Sequence, residues 1–259
     1  MMFRLLFCCS ILAISACAPR GDPKSRQQKF TPAEIHEQQT ERTKQFNTLV
    51  GRGIIEFHWS DEDGKHRAQG DFDFWKFENE ISLRVSKGGE PLMWIGCDET
   101  NHWMFDMLGD ETILTINQED IIFSDALDML VLLGLAPLPS GTTSIDQGVV
   151  TVQTNKGVWV ATFDPSTSRP LEIEIQSDTY RALALHRSGI KVELPQKNRL
   201  VWPVTGKLID IESTKSNARV KIDFAWLSID TSDQPMNRVF DLDFLRRAIK
   251  PTVVKGTLQ

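Results

Sequence analysis

Short segments in which apolar and polar residues alternate make up most of the chain after residue 49. EISLRVSK has an apolar residue at every second position, and RVKIDFAWLSID repeats the pattern over a longer run. Alternation of this kind is typical of β-strands, because successive side chains point to opposite faces of a sheet. About ten such segments, separated by turn sequences such as DG and GG, predict a meandering antiparallel sheet. One face of that sheet should be buried and the other should face water.

Two segments have helical features instead. TPAEIHEQQTERTKQF opens with Thr31, which can cap a helix, and continues with Pro32 at a favourable first position and Glu34 to complete a capping box. SDALDMLVLLGLAPLP, residues 124–139, places apolar side chains three and four residues apart and should stop at Gly134, before two prolines. The second helix is much more apolar than the first, so we expect it to pack against the sheet.

The N-terminus has the features of a secreted lipoprotein. Arg4 precedes an apolar run, residues 5–16, that is too short to span a bilayer but has the length of a signal-peptide core. The run leads into ISAC, which ends at Cys17 and resembles the bacterial lipobox. That resemblance implies diacylglycerol on the Cys17 sulfur, cleavage before Cys17 and acylation of the new amino group. The alternative is an ordinary signal peptide followed by a chance cysteine.

Three regions follow from these features. Residues 1–16 are predicted to be the lipoprotein signal peptide, and residues 17–30 the lipidated cysteine with a flexible tether. Residues 31–259 are predicted to form a single domain. The cysteines at positions 8 and 9 leave with the signal peptide, Cys17 is modified, and Cys97 should be a buried core thiol, so we expect no disulfide framework.

The composition of the chain limits the classes of molecule that it is expected to bind. The formal net charge is −6 and 41% of the residues are hydrophobic, which is enough for a proper core. An acidic chain is a poor match for nucleic acid and for electrostatic attachment to anionic lipid. We therefore expect a monomer that is held at a membrane through its lipid anchor and binds no nucleic acid.

Motifs for catalysis are absent from the sequence. There is no GxSxG or HExxH motif, and GRGIIE opens a strand without the third glycine of a nucleotide-binding loop. His58 and His66 flank a turn and could share a metal only if an odd-length loop put them on one face of the sheet. Asp71 and Asp73 share a face without a nearby nucleophile. We predict no catalytic residue, no metal, no cofactor and no enzyme activity.

Taken together, these segments resemble the LolA/LolB superfamily of bacterial envelope proteins. The resemblance rests on the lipobox, a helix after a tether, LVGRGIIEFHW, FDFWKFENEISLRVSK, PLMWIGCDETNHWMFDM and the helical DALDMLVLLGL, and covers roughly residues 30–245. The hairpin pattern W-I-G-x-[DN]…W-x-F is similar to that of a lipoprotein branch of unassigned function. It is carried here by Trp94, Ile95, Gly96, Asp98, Trp103 and Phe105.

The resemblance implies a mainly β fold with a few helices. It is a curved antiparallel unclosed β-barrel of about ten or eleven strands, covered by helices around a hydrophobic cavity. Soluble members carry the acyl chains of lipoproteins across the periplasm, and anchored members receive them at the outer membrane. An arginine helps to hold the soluble carrier closed; Arg52 and Arg84 both fit that position, and neither is assigned. Ala18 replaces the aspartate that retains lipoproteins at the inner membrane, which favours an outer-membrane protein facing the periplasm.

Apolar positions on the inner face supply the candidate lipid site. The alternating segments give two strands one apolar face each, and the second helix is the only apolar element long enough to cover the hollow beside them. The candidate cavity residues are Ile81, Leu83, Val85, Leu130, Leu133, Val220, Ile222, Phe224 and Trp226.

Two functions compete at this level. The first is an anchored lipoprotein that binds an acyl chain or a lipidated protein in lipid or lipoprotein trafficking, with an apolar pocket for its ligand. The second is a non-catalytic interaction module of the envelope, whose cavity is filled by its own side chains and which docks a protein partner.

Overall fold

The computed structural model describes residues 30–44, 46–98, 100–117, 126–146, 148–164, 169–186, 190–192, 200–202, 209–214, 218–229 and 237–257. The predicted signal peptide, the lipidation site Cys17 and the tether before Phe30 lie outside the described residues. Their assignment stays a prediction.

One unclosed sheet dominates the fold. Its fourteen strands in the described part of the chain are β1 (Thr48–Asp61), β2 (Gly64–Phe77), β3 (Glu80–Lys87), β4 (Glu90–Cys97), β5 (His102–Asp106), β6 (Ile113–Ile116), β7 (Thr142–Asp146), β8 (Val149–Gln153), β9 (Gly157–Phe163), β10 (Pro170–Ser177), β11 (Tyr180–Leu185), β14 (Ile209–Ser213), β15 (Arg219–Ile229) and β16 (Val253–Lys255). A separate pair consists of β12 (Ile190–Val192) and β13 (Leu200–Trp202).

The spatial order of the sheet is β16-β6-β5-β4-β3-β2-β1-β15-β14-β11-β10-β9-β8-β7. Neighbouring strands are antiparallel except β16 and β6, which run parallel. The predicted mainly β, antiparallel and unclosed architecture is confirmed, but ten or eleven strands is too few. The sheet strands that the sequence pattern missed, β7, β14 and β16, are three to five residues long and offer too few positions for alternation to stand out.

Helix α1 begins, and helix α2 ends, as the sequence predicts, whereas the predicted start of α2 at residue 124 lies outside the described residues. In α1 (Pro32–Lys44), the Thr31 amide donates to the Glu34 carboxylate at 2.7 Å and the Glu34 amide donates to the Thr31 hydroxyl at 3.3 Å, which is a capping box. Helix α2 (Ala126–Leu132) stops at Gly134, whose φ is +68°. The amides of Gly134 and Leu135 then bond back to the carbonyls of Val131 and Leu130. These paired bonds satisfy carbonyls that the helix end leaves open.

Two further helices lie near the C-terminus, α3 (Asn237–Phe240) and α4 (Leu242–Ile249). Helix α4 places Leu242 and Leu245 against the outer face of β5 and β6. The resulting cluster consists of Trp103, Phe105, Leu114, Ile116, Leu242 and Leu245. The expectation of a wet outer face is therefore wrong at this end of the sheet, where α4 buries the outer face of β5 and β6 and their inner-face residues are half-buried. No helix among the described residues is long and apolar enough to cross a bilayer.

Strand β15 changes face at a β-bulge. Gly53 pairs with Phe224 and Arg52 pairs with Trp226, so one residue of β15 between them has no counterpart on β1. Phe224 and Leu227 are buried on the inner face, whereas Trp226 is 48% exposed on the outer face. The prediction that Trp226 faces the cavity is wrong, because the extra residue shifts the alternation by one position.

The bulge also explains the glycines of the GRG sequence. A Cβ atom on Gly53 would lie 1.9 Å from the Asp223 carbonyl oxygen, and one on Gly51 would lie 2.9 Å from Leu227 Cδ1. Strands β1 and β15 approach too closely here for any larger residue. The motif that imitates a nucleotide-binding loop is therefore a packing requirement of the sheet.

Candidate functional site

The inner face of the sheet and α2 enclose the larger of the two apolar clusters. At its centre is a cavity of about 10 Å³, which we call the central cavity. Its walls are Phe74, Ile81, Leu83, Ile95, Met129, Leu133, Ile222 and Phe224. A space of this size holds about one water molecule, so the site is closed and almost filled by side chains.

Most of the predicted cavity residues reach this place. The five that line the central cavity are Ile81, Leu83, Leu133, Ile222 and Phe224. Val85, Leu130 and Val220 are buried in the surrounding cluster, and Trp226 is on the other face. Whether any of them contacts a ligand stays a prediction.

Three lining residues were missed, and each had a signal in the sequence. Phe74 alternates with Phe72 in GDFDFWKF, and Ile95 alternates with Met93 in PLMWIGC. Met129 lies four residues before Leu133, which places the two side chains on one face of a helical segment. The same periodicities that gave the predicted residues therefore extend to these three.

Aromatic edge contacts hold one wall of the central cavity. The Phe224 ring meets Phe72 at 4.9 Å between centroids and an interplanar angle of 80°, and Phe74 at 5.2 Å and 86°. Edge-to-face pairs of this kind are worth about 0.5–1.5 kcal/mol each beyond the area they bury. The sheet side of the cavity is therefore a fixed surface.

The helical side is attached by few polar bonds. The Tyr180 hydroxyl of β11 donates to the Asp128 carboxylate of α2 at 2.5 Å, a short charge-assisted bond. Beyond α2, the Leu138 amide donates to Gln39 Oε1 at 3.3 Å, and Gln39 is only 5% exposed. The second bond joins α1 to the segment that follows α2.

A larger hollow opens beside this second bond, between α1, residues 138–141 and β8. We call it the α1–β8 groove; its volume is about 370 Å³. Its walls are Pro32, Ala33, Ile35, His36, Glu37, Gln39, Leu138, Pro139, Ser140, Gly141, Thr143, Val150 and Val152, so one carboxylate and a few polar groups accompany the apolar residues. Ile35, Leu138, Val150 and Val152 also belong to the apolar cluster around the central cavity. The groove is thus a place where the inner apolar surface meets solvent.

A third hollow, of about 480 Å³, lies at the end of β2 and β3. Four carboxylates line it, those of Glu80, Asp98, Asp241 and Asp243. Two of them already accept local bonds, because Asp98 takes the amides of Thr100 and Asn101 and Asp241 caps α4. This acidic surface does not suit a hydrocarbon ligand.

A buried lysine closes one end of the inner face. Lys76 follows Phe72 and Phe74 on the same face of β2 and is 1% exposed. Its ammonium group donates to the carbonyl oxygens of Phe46 at 3.0 Å, Asn47 at 3.5 Å and Glu78 at 2.6 Å. Burial lowers the pKa of Lys76 to about 8. The lysine ties two turns together and faces no described hollow.

Both candidate arginines lie on the outer face. Asp73 Oδ1 accepts from Arg52 Nε at 3.0 Å, and Asp73 Oδ2 accepts from Arg84 Nη2 at 2.5 Å. The Arg84 guanidinium also lies 5.7 Å from the ring centroids of both Trp75 and Trp94. Neither arginine touches α2. Both carboxylate oxygens of Asp73 are therefore engaged in ion pairs, which leaves neither for an acid–base pair with Asp71.

The histidines beside the β1–β2 turn do not form a metal site. Asp61 pairs with Gly64, so the turn has two residues and Trp59 stands opposite His66. Their rings stack with centroids 5.2 Å apart, which puts His58 on the other face, beside Glu56. The described residues contain no group of three His, Cys, Asp or Glu side chains that could hold a metal ion.

The hairpin pattern W-I-G-x-[DN]…W-x-F, formed by β4 and β5, has a physical basis in side-chain packing. Gly96 pairs with Trp103, and a Cβ atom on Gly96 would lie 2.5 Å from the Trp103 ring. Trp103 in turn meets the Phe105 ring edge at 5.7 Å. The pattern therefore builds the outer cluster under α4 and contributes only Ile95 to the cavity. Cys97, at the end of the same strand, is 4% exposed, as predicted for a core thiol.

Comparison with known proteins adds information on the fold. No protein-family model matches the chain, and no curated protein matches it. Among solved structures, it is similar to a DUF1329 family protein from Desulfovibrio piger ATCC 29098, with a TM-score of 0.50 and 11% identity over 82% of this chain and 96% of that chain.

Two further structures have slightly lower scores. A LolA superfamily protein from Nitrosomonas europaea has a TM-score of 0.48 and 12% identity over 83% of this chain and 100% of that chain. A domain named for outer membrane lipoprotein sorting, from Vibrio parahaemolyticus, has a TM-score of 0.46 and 8% identity over 83% and 97%. A LolA superfamily protein is among the structural neighbours. At such low identity the likeness concerns the fold alone.

Proposed function

We propose that this chain is a lipoprotein anchored at the outer membrane through Cys17, where its sheet binds an acyl chain in lipid or lipoprotein trafficking. The observation that carries the proposal is the central cavity, whose described walls are entirely apolar and which lies under the short helix α2. Apolar walls with few polar groups are typical of sites for apolar ligands. The proposal assigns no catalytic residue and no cofactor.

Binding in this site requires α2 to move, because the closed cavity of about 10 Å³ cannot admit a hydrocarbon chain. Moving α2 costs roughly 8–15 kcal/mol, at about 1.5–3 kcal/mol for each of the five buried side chains of the helix and its last turn, Met129, Leu130, Val131, Leu132 and Leu133. Burying an acyl chain of roughly fifteen methylenes returns up to about 12 kcal/mol. The two terms are of similar size, which suits a carrier that must both take up and release its ligand.

The anchor is tested separately from the cavity. Cys17→Ser should leave an uncut precursor that takes up no label from a palmitate analogue fed to the cells, because only the thiol accepts diacylglycerol. Equal labelling of the variant and the parent chain would show that Cys17 is not the lipidation site. The envelope location follows from ISAC and from Ala18 and depends on this result.

The cavity is tested by solvent extraction of the protein purified from the bacterial envelope. Extraction removes a bound lipid but leaves covalent anchor chains on the protein, so the released lipid reports the site. Leu83→Trp should abolish the released lipid, because the indole fills the space that the chain needs. Ile54→Trp is the matched control, since Ile54 is exposed on the outer face. Equal amounts of lipid from both variants would contradict the carrier.

The second candidate is a non-catalytic interaction module of the envelope with a self-filled core. The nearly full central cavity favours it. The same extraction separates the two: a parent protein that releases no lipid supports the module.

A further inference from the structure

The α1–β8 groove differs from the central cavity in one decisive respect, which is its size. Its volume of about 370 Å³ lies within the range of about 300–1,000 Å³ that small-ligand sites occupy. The central cavity has about 10 Å³. In the part of the chain that the structure describes, the groove is therefore a mainly apolar space that a ligand can occupy before any helix moves.

The groove leads inward through residues that it shares with the core. Ile35 of α1 and Leu138 form its wall on one side, and Val150 and Val152 of β8 form the other. All four belong to the apolar cluster that surrounds the central cavity. A hydrocarbon chain lying in the groove contacts the same continuous surface that reaches α2.

One polar bond crosses this boundary. The bond from the Leu138 amide to Gln39 Oε1 connects the groove wall on α1 with the segment that follows α2. Gln39 is buried among apolar groups, where a polar side chain needs a partner. Breaking this bond would remove a described polar link between α1 and residues 138–141, at the boundary between the groove and the core.

The position of the chain's N-terminal part favours a membrane lipid as the occupant. Pro32 lies on the groove wall, and fourteen residues lie between it and Cys17. Whatever their conformation, they span at most roughly 50 Å. In the anchored protein the groove therefore stays within reach of the bilayer surface.

We propose that the α1–β8 groove is where one acyl chain of a membrane phospholipid enters the protein, and that the Gln39–Leu138 bond gates its passage to the central cavity. This inference rests on the proposed function. The groove's volume is at the low end of the range for ligand sites, which suits one chain better than the several acyl chains of a lipoprotein.

The test uses the full chain in growing bacteria. Cells receive a fatty acid that carries a diazirine and an alkyne, which enters the phospholipids; the cells are irradiated, and the adducts are mapped by peptide mass spectrometry. We expect light-dependent adducts with the mass of a phospholipid on the peptides that contain Ile35 and Leu138. Labelling of the N-terminal peptide without light reports the covalent anchor and serves as an internal control.

Other adduct patterns separate the two proposals. Adducts confined to peptides with Leu83 and Ile95 would overturn the groove and keep the acyl-binding function. No light-dependent adduct anywhere would overturn both. A crosslink between the groove and the protein's own anchor chain, or an adduct with the mass of a lipoprotein fragment, would overturn the phospholipid as the occupant.

Substitutions on exposed helix positions test the site without disturbing the core. Ala33 lies on the groove wall and Ala248 on α4, and both are exposed. Ala33→Trp should reduce the groove adducts at least fivefold, and Ala248→Trp should leave them unchanged. Equal reduction by both, or by neither, would contradict the proposal.

The gate has its own variant. Gln39→Met keeps the length of the side chain but removes the acceptor, and one lost hydrogen bond corresponds to about a fivefold shift toward the open form. Amide exchange of residues 138–141 and adducts on peptides with Leu83 should therefore both increase about fivefold. Faster exchange without more adducts at Leu83 would show that the bond is structural and does not gate a ligand.

Discussion

The two helices that cover this sheet are held in different ways. Helix α4 is capped by Asp241, whose carboxylate accepts from the Phe244 amide at 2.8 Å, and it ends at Lys250, whose amide bonds to Arg246. Strand β16 then follows and pairs with β6. Helix α2 has seven residues and covers a cavity.

The difference predicts that α4 stays packed on the sheet in every functional state, whereas α2 can move away from it. The outer cluster under α4 is sealed by a strand that continues the sheet, so the cluster opens only if a strand pair breaks. The inner cluster under α2 meets solvent at the α1–β8 groove and keeps a small void. Regions that move for function are drawn from the least stable parts of a fold.

The largest expected effect concerns the permanent side. Trp103→Ala should lower the free energy of unfolding by about 3–5 kcal/mol, because it removes a fully buried ring from the outer cluster. Trp226→Ala, on the same face but exposed, should change it by less than about 1 kcal/mol. Urea denaturation of both variants measures the difference. Similar losses would mean that the cluster under α4 is not a tightly packed core.

A pair of leucines compares the two covers directly. Leu245→Ala under α4 should cost about 2–5 kcal/mol of global stability. Leu133→Ala under α2 should cost about 2 kcal/mol, the low end of that range, because a cover that can move is able to collapse into the space that the side chain leaves. Urea denaturation gives the global values, and amide exchange at residues 129–133 reports the local opening. Equal global losses would show that α2 is as permanent as α4.

The buried lysine gives an effect of intermediate size. Lys76→Met leaves the carbonyl groups of Phe46, Asn47 and Glu78 without their donor and should cost about 1–3 kcal/mol at pH 7. Urea midpoints measure this loss.

The same lysine predicts a pH dependence. The pKa of Lys76 is lowered to about 8 in the folded chain, against 10.5 as its ordinary value. Between these values the unfolded chain binds more protons, so a rise in pH favours the folded state. The stability of the parent chain relative to Lys76→Met should therefore increase from pH 8 to pH 10.5. A difference in the free energy of unfolding between the two chains that stays constant or shrinks over this pH range would contradict the lowered pKa of Lys76.

The smallest effect is a loosening of α2. Tyr180→Phe removes the hydroxyl that donates to Asp128 and should weaken the attachment by about 1 kcal/mol. Amide exchange at Leu130 and Val131 should then be about fivefold faster, with little change in α4. An equal acceleration of amide exchange in α2 and α4 would contradict the difference between the two helices.

Local chemistry made several features predictable. The capping box at Thr31 and the stop at Gly134 depend on residues within one turn of each other, so the sequence contains everything they need. The inner face of β3 followed from alternation alone, since its apolar positions all become buried.

Features set by distant partners were not predictable. The bulge in β15 is defined by its pairing with β1, and no local pattern in RVKIDFAWLSID signals that Trp226 turns outward. Lys76 occupies a position where alternation predicts an apolar residue. It can do so because its ammonium group donates hydrogen bonds to carbonyl oxygens that include that of Phe46, 30 residues away in the sequence. The cluster under α4 joins segments that only the folded sheet brings together.

The order of the strands has a consequence for biosynthesis. Strand β1 pairs on one side with the adjacent β2 and on the other side with β15. Leu49 therefore cannot pair with Ile229 until nearly the whole chain has been made. A chain that leaves the ribosome or the export channel N-terminus first can form β1 to β6 early, with the far edge of β1 still unpaired. Such an edge is a template for association with other chains, and pairings this remote in sequence form slowly. We therefore expect the newly exported chain to need a holding chaperone until β15, in the last sixth of the chain, arrives, and β15 to act as the strand that joins two separately formed half-sheets.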